Sequence, residues 1–274
     1  MKADIREFQA RMLWAMALGM GTSLTFAATF SDANWISMNP SIPGANGQVN
    51  AAVVDGSGNL YIGGNFTIVG NVFVNYIAKW DGNSWSALGS GMNNPVTALA
   101  VSGNNIYAGG SFTTAGGNTV NYIAKWDGAS WSALGSGMNS SVSALAVSGS
   151  TVYAGGYFTT ADGTPANYIA EWDGSSWSAL GSGMAGDGSG EFYPTAVDAL
   201  AVSGNTVYAG GNFATAGGSA AKNVAKWDGS SWSALGSGIS GGPMFPGFVW
   251  ALALSGSTVY AGGDFTTAGG GMAN

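Results

Sequence analysis

Between residues 96 and 134 the chain passes through four short, mainly apolar stretches, each closed by Gly, Asn, Asp or Ser. Residues 96–101, 106–112, 122–126 and 131–134 are predicted as strands, because runs of this length bounded by turn formers suit a pleated ribbon. Two of the turns are explicit: Ser102-Gly103-Asn104-Asn105 and Asp127-Gly128-Ala129-Ser130. Asp-Gly between two strand-like runs signals a hairpin, since glycine accepts positive φ and the Asp side chain caps the turn. The unit these patterns predict is a four-stranded antiparallel meander.

The unit recurs along the chain. Tyr61, Tyr107, Tyr153, Tyr208 and Tyr260 each open a Tyr-(Ala/Ile)-Gly-Gly-x-Phe phrase, spaced 46, 46, 55 and 52 residues apart. A single meander cannot bury both faces, whereas stacked copies can, and four strands per repeat favour a ring of blades over a solenoid. Small residues (Ala98, Ala100, Ala108, Gly109, Gly110) suit the crowded inner strands, and Trp126 and Trp131 suit the wider periphery. Complete blades are expected over residues 48–90, 95–136, 141–182 and 196–237, with only two strands of a fifth over 249–265. Residues 28–38 repeat the aromatic spacing of Trp80-Asp81-Gly82-Asn83-Ser84-Trp85 as Phe30-Ser31-Asp32-Ala33-Asn34-Trp35. The expectation is therefore an all-β propeller, five blades closed by the N-terminal strands, which would remove exposed edges. The alternative is a longer ring, since the next copy would begin Tyr-Ile-Ala-Lys-Trp where the chain stops.

Gly109-Gly110, Gly155-Gly156, Gly210-Gly211 and Gly262-Gly263 close a strand, and Trp126-Asp127, Trp172-Asp173 and Trp227-Asp228 precede a second Trp at 131, 177 and 232. This pattern resembles kelch-type propeller repeats. The GGxFTTAGG form is similar to repeats of the fungal cortical polarity-marker propeller and of bacterial secreted proteins. The resemblance covers about residues 34–274 and implies a propeller fold. It departs from kelch in placing Trp where the mid-blade Tyr is common, and it implies little about function because propellers host enzymes, lectins and scaffolds.

Composition narrows the remaining choices. Hydrophobic residues make up 46% of the 274, 47 are glycine and 8% are charged, so the chain folds and turns often. Lys2, Arg6 and Arg11 precede an apolar run over residues 12–24 and then Thr25-Phe26-Ala27. That order predicts a signal peptide over residues 1–27 and a single domain over 28–274. The run is shorter than the roughly 18 residues a spanning helix needs, so a secreted protein, extracellular or periplasmic, without membrane insertion is expected. Lys79, Lys125, Lys222 and Lys226 face twelve acids after residue 28, which disfavours nucleic acid as a partner. With no cysteine and no histidine, thiolate chemistry, His-based triads and the commonest metal ligand are all unavailable.

The repeated Asp81, Asp127, Asp173 and Asp228 are expected as turn caps, and the Trp pairs as packing residues. Gly109–Asn118 looks superficially like a phosphate cradle, yet lacks the Gly-Lys-(Ser/Thr) ending and a following helix, so turns are expected there. The repeat breaks twice, at residues 185–195 and 240–248, and both interruptions fall on the same end of the strands, where binding loops sit. Phe192, Tyr193, Met244, Phe245, Phe248 and Trp250 form the candidate ligand-binding patch. Asp187, Ser189, Glu191 and Asp198 are a candidate calcium loop, an imperfect one because Phe192 stands where the turn wants Gly. Calcium is the only cofactor suggested. The function expected is non-enzymatic binding of a protein or glycan. The alternatives are a glycoside hydrolase using Asp187, Glu191 or Asp198, or a structural module of a larger adhesin.

Overall fold

The computed structural model describes residues 44–186, 194–241 and 247–273. Four sheets repeat one plan, with strands hydrogen-bonded in chain order from inner to outer. In the second blade these are Val96–Ser102, Asn105–Gly110, Ile123–Trp126 and Trp131–Ala133, all antiparallel. The first blade starts with the inner strand Gln48–Val54, the third with Val142–Ser148 and the fourth with Ala196–Ser203. Of the four-stranded plan, the described residues of a fifth blade supply Phe248–Ser255 and Thr258–Asp264, which pair. The inner strands pack on one another in sequence order, which places the Ala- and Gly-rich strands where the blades converge.

The predicted strands are thus found nearly at their predicted limits, with one correction. Residues 111–120 are more than turns: Thr114–Ala115 and Asn118–Thr119 form a small hairpin around Gly116 and Gly117, both at positive φ. Every repeat carries this hairpin, and from the second copy on its first arm pairs with the connector arriving from the blade before. Met92 bridges to Ala115, Met138 to Ala161, Met184 to Ala216 and Ile239 to Ala268. The connector's glycine is forced by this approach. Gly137 has φ 77°, and a Cβ on it would stand 2.4 Å from the Asn121 carbonyl oxygen. Asn121, itself at φ 43°, donates its side-chain amide to the Ser136 carbonyl at 2.8 Å.

The apolar cores lie mainly between blades; one further cluster, of Leu60, Ile62, Phe66, Val69, Val74 and Ala78, belongs to the first blade alone. Tyr61, Ile77 and Leu88 of the first blade pack on Val96, Ile106, Phe112 and Trp131 of the second, and the next two junctions repeat the arrangement. A fully buried Phe112 is worth about 2–3 kcal/mol by area removed from water. Trp131 Nε1 donates across the junction to the Leu88 carbonyl at 2.9 Å, as Trp177 does to Leu134 and Trp232 to Leu180. The doublet glycine is the closest point. A Cβ on Gly63, Gly109, Gly155 or Gly210 would come 2.5 Å from Cγ1 of Val96, Val142, Val197 or Val249 in the following blade.

The fifth blade ends this series. Among the described residues, a Cβ on Gly262 would meet Ala251 of its own blade, at 3.9 Å. Tyr260 is 43% exposed, against 6% for its equivalent Tyr107. Residues 28–38, expected to complete this blade, lie outside the described residues, as does the expected signal peptide. No helix among the described residues is long and apolar enough to cross a membrane.

Candidate functional site

The two ends of the blades differ in chemistry. At one end the Asp-Gly turns are closed upon themselves: Asp127 Oδ1 accepts from the backbone N–H of Ala129 and of Ser130, both at 2.8 Å. Asp81, Asp173 and Asp228 repeat the clamp. Backbone donation from Ser176 and then Ser175, with the Ser175 hydroxyl, holds the Asp173 carboxyl down at about 2. The Ser231 and Ser230 amides hold Asp228 well below the ordinary carboxylate range. These carboxylates are turn caps, as expected.

At the other end each inner strand carries a one-residue irregularity in register, between Val49 and Ala51 and at the four equivalent places. Such a bulge re-aims the extra side chain. In chain order the bulged residues are Asn50, Thr97, Ser143, Asp198 and Trp250. Asn50 Nδ2 donates to the Val96 carbonyl at 2.9 Å, and the Thr97 hydroxyl donates to that of Val142, so these two side chains serve the junctions. The last two bulges break from the neutral polar pattern with a carboxylate and an indole.

A second variable position lies beside them, the residue after each Gly-Gly doublet: Asn65, Ser111, Tyr157, Asn212 and Asp264. Asn65 pairs with Gln48, Asn212 with Ala196 and Asp264 with Phe248, so this position shares the bulged end. Burial, then the charge of Asp198, raises the Tyr157 phenol above its ordinary range. Trp250 is 38% exposed and stacks on Phe248 with centroids 5.0 Å apart and planes 12° from parallel. Tyr157 and Asp198 on the third and fourth blades, with Phe248, Trp250 and Asp264 on the fifth, make this end aromatic and acidic over three consecutive blades. Asn212 Nδ2 anchors the incoming chain by donating to the Pro194 carbonyl at 3.0 Å.

Of the candidate ligand-binding residues, Phe248 and Trp250 are brought together. Phe192, Tyr193, Met244 and Phe245 lie outside the described residues. So do Asp187, Ser189 and Glu191 of the candidate calcium loop, whose fourth member, Asp198, sits at the bulge of the fourth inner strand. Among the described residues no group of three His, Cys, Asp or Glu side chains is placed to hold a metal ion. Tyr157 and Asp264 were missed from the sequence because they stand inside a faithful repeat. Comparing the copies position by position, at the residue after Gly-Gly, would have found them.

Comparison with known proteins agrees with this architecture. The family model described as the Rax2 C-terminal beta propeller domain matches residues 29–190, more than half of the chain. The chain belongs to this family. None of the curated proteins matches it. Among solved structures, this Rax2-type propeller is similar to the extracellular domain of the one-component system BT4673 from B. thetaiotaomicron, with TM-score 0.51 and 12% identity over 80% of this chain and 25% of that one. It is also similar to the computationally designed Ika8 protein (TM-score 0.49, 22% identity, 79% and 55% of the two chains) and to an ancestral GH74 enzyme (TM-score 0.48, 19% identity, 78% and 29%). The chain thus spans about half of Ika8 and a quarter of the BT4673 domain. At these identities the likeness is one of fold.

Proposed function

We propose that this Rax2-type propeller is an exported, non-enzymatic binding module. It takes a glycan, free or carried on a protein, on the bulged end of its third to fifth blades. The carrying observation is the stacked Phe248–Trp250 pair with its partly exposed indole. An indole face offers flat apolar surface for the C–H face of a pyranose ring, and nearby carboxylates accept its hydroxyl protons. Asp198 and Asp264 supply such acceptors at the same end, and the two repeat-breaking segments enter the strands beside them. Export is supported by the basic and apolar order of residues 2–27. The binding reading is supported by the lack of histidine and cysteine, which leaves few groups for catalysis.

A glycan array probed with the wild-type protein and with Trp250→Ala, Trp250→Phe and Phe248→Ala tests it. Losing a stacking contact of about 0.5–1.5 kcal/mol weakens binding about two- to twelvefold. Trp250→Ala should show at least that loss, Trp250→Phe a smaller one, and Phe248→Ala an intermediate one. A wild type that binds no glycan, or binding indifferent to all three changes, overturns the reading.

A further inference from the structure

The acids of this chain gather in the blades that surround the stacked aromatic pair. Residues 141–274 hold eight Asp and Glu against two lysines, whereas residues 44–140 hold three against two. Two of these acids break a neutral pattern among the copies. At the bulge the other side chains are Asn50, Thr97, Ser143 and Trp250, and the fourth copy alone has a carboxylate, Asp198. After the Gly-Gly doublet the others are Asn65, Ser111, Tyr157 and Asn212, and the fifth copy alone has one, Asp264. Asp264 is exposed and stands directly opposite Phe248 in the ladder, and the Phe248 ring stacks on the Trp250 indole. Its carboxylate is therefore within cross-strand reach of the exposed aromatic surface. Three lysines, Lys79, Lys125 and Lys226, pair inside the ladders with Tyr61, Tyr107 and Tyr208. Lys222 precedes the third strand of the fourth blade, where its carbonyl accepts from the Ile239 N–H.

We infer that the glycan taken at this end is a basic one, a chain of hexosamine units whose 2-amino groups are free and not acetylated. This rests on the glycan reading and adds the ligand's charge to it. A chain laid along the pair puts the C–H face of one unit and the ammonium of a neighbouring unit on the same aromatic surface. The ammonium meets the negative face of the indole and the Asp264 carboxylate together. An N-acetylated unit gains the stacking alone, and a uronate is repelled by the same carboxylate. A cation over an exposed indole is worth about two- to fivefold in affinity, and an exposed ion pair up to about fivefold. Further units pass Asp198 on the adjoining blade, whose charge already reaches Tyr157.

Titration calorimetry on the purified full chain tests this with hexamers of glucosamine, N-acetylglucosamine and galacturonic acid, and with hexalysine as a cation that has no sugar ring. At low salt the glucosamine hexamer should bind about tenfold or more tighter than the N-acetylated one, and the galacturonate most weakly. In about 1 M salt, where the screening length is about 3 Å, that margin should largely vanish. Asp264→Asn keeps the shape of the side chain and removes its charge. It should weaken the glucosamine hexamer about two- to fivefold and leave the N-acetylated one unchanged, with an unaltered circular dichroism spectrum. Trp250→Ala should weaken both. Equal binding of the two hexosamines, or a preference untouched by Asp198→Asn and Asp264→Asn together, overturns the inference and leaves the glycan reading standing. Hexalysine bound as tightly as the glucosamine hexamer overturns it as well, since charge alone would then draw the ligand. A protein that binds array glycans but neither hexosamine overturns the inference alone, and one that binds no glycan overturns both.

Discussion

Asp173 shows how much of the repeat is local chemistry. Its carboxylate accepts from two backbone amides and two serine hydroxyls, and it exists to close a turn. Its folded value near 2 lies below the ordinary 3.8, so the ionised form favours folding. That contribution is complete above about pH 4 and is lost as pH falls through the folded value. Asp81, Asp127 and Asp228 are shifted in the same direction, so the copies act together. Stability measured by urea denaturation should be level from neutral pH to about 4 and decline toward 2. Asp173→Asn should make that decline shallower, and a slope unchanged by the substitution would remove the turn clamp as its cause. This residue was legible because Asp-Gly between strands has one common use. Tyr157 was not, since nothing in Gly-Gly-x-Phe distinguishes a variable site from a spacer until the bulge is seen beside it.

At the scale of the element, strand positions followed from alternation and turn residues almost to the residue, while the small hairpin at Thr114–Thr119 did not. Its arms are too short to show a period, and it exists because the Met92 connector pairs with it. The Trp pairs were read correctly as packing, yet their polar role was invisible: the acceptor of Trp177 Nε1 is 43 residues away, in the preceding blade. Trp177→Phe keeps most of the apolar contact and leaves the Leu134 carbonyl without this donor. The expected cost is about 1–3 kcal/mol of unfolding free energy. Equilibrium denaturation checks it, and a loss below about 0.5 kcal/mol would show that the hydrogen bond contributes little to the junction.

For the whole molecule, stability is largely a sum over junctions, because four of the apolar clusters among the described residues are shared by two neighbours. Among the described residues, the third blade packs on a neighbouring blade at both faces and the fifth at one. Thr258–Asp264 is also the more exposed strand, so its amide exchange should be faster than that of Thr151–Gly156. Equal protection would mean that the fifth blade is held as firmly as the third. The candidate site was half legible at this scale: the two interruptions pointed to the bulged end, where the proposed site lies, and Phe248 and Trp250 were named. The acidic and aromatic run across three blades emerged only when the bulges aligned positions far apart in sequence. The hairpin that pairs with the preceding connector has a consequence for how such a gene grows. Since each copy carries both halves of every joint, duplicating or deleting one whole repeat recreates the same backbone pairing, the same valine on glycine and the same indole on carbonyl. Blade number can thus change in a single genetic event without inventing an interface, an interchange that works as long as any copy is able to stand next to any other.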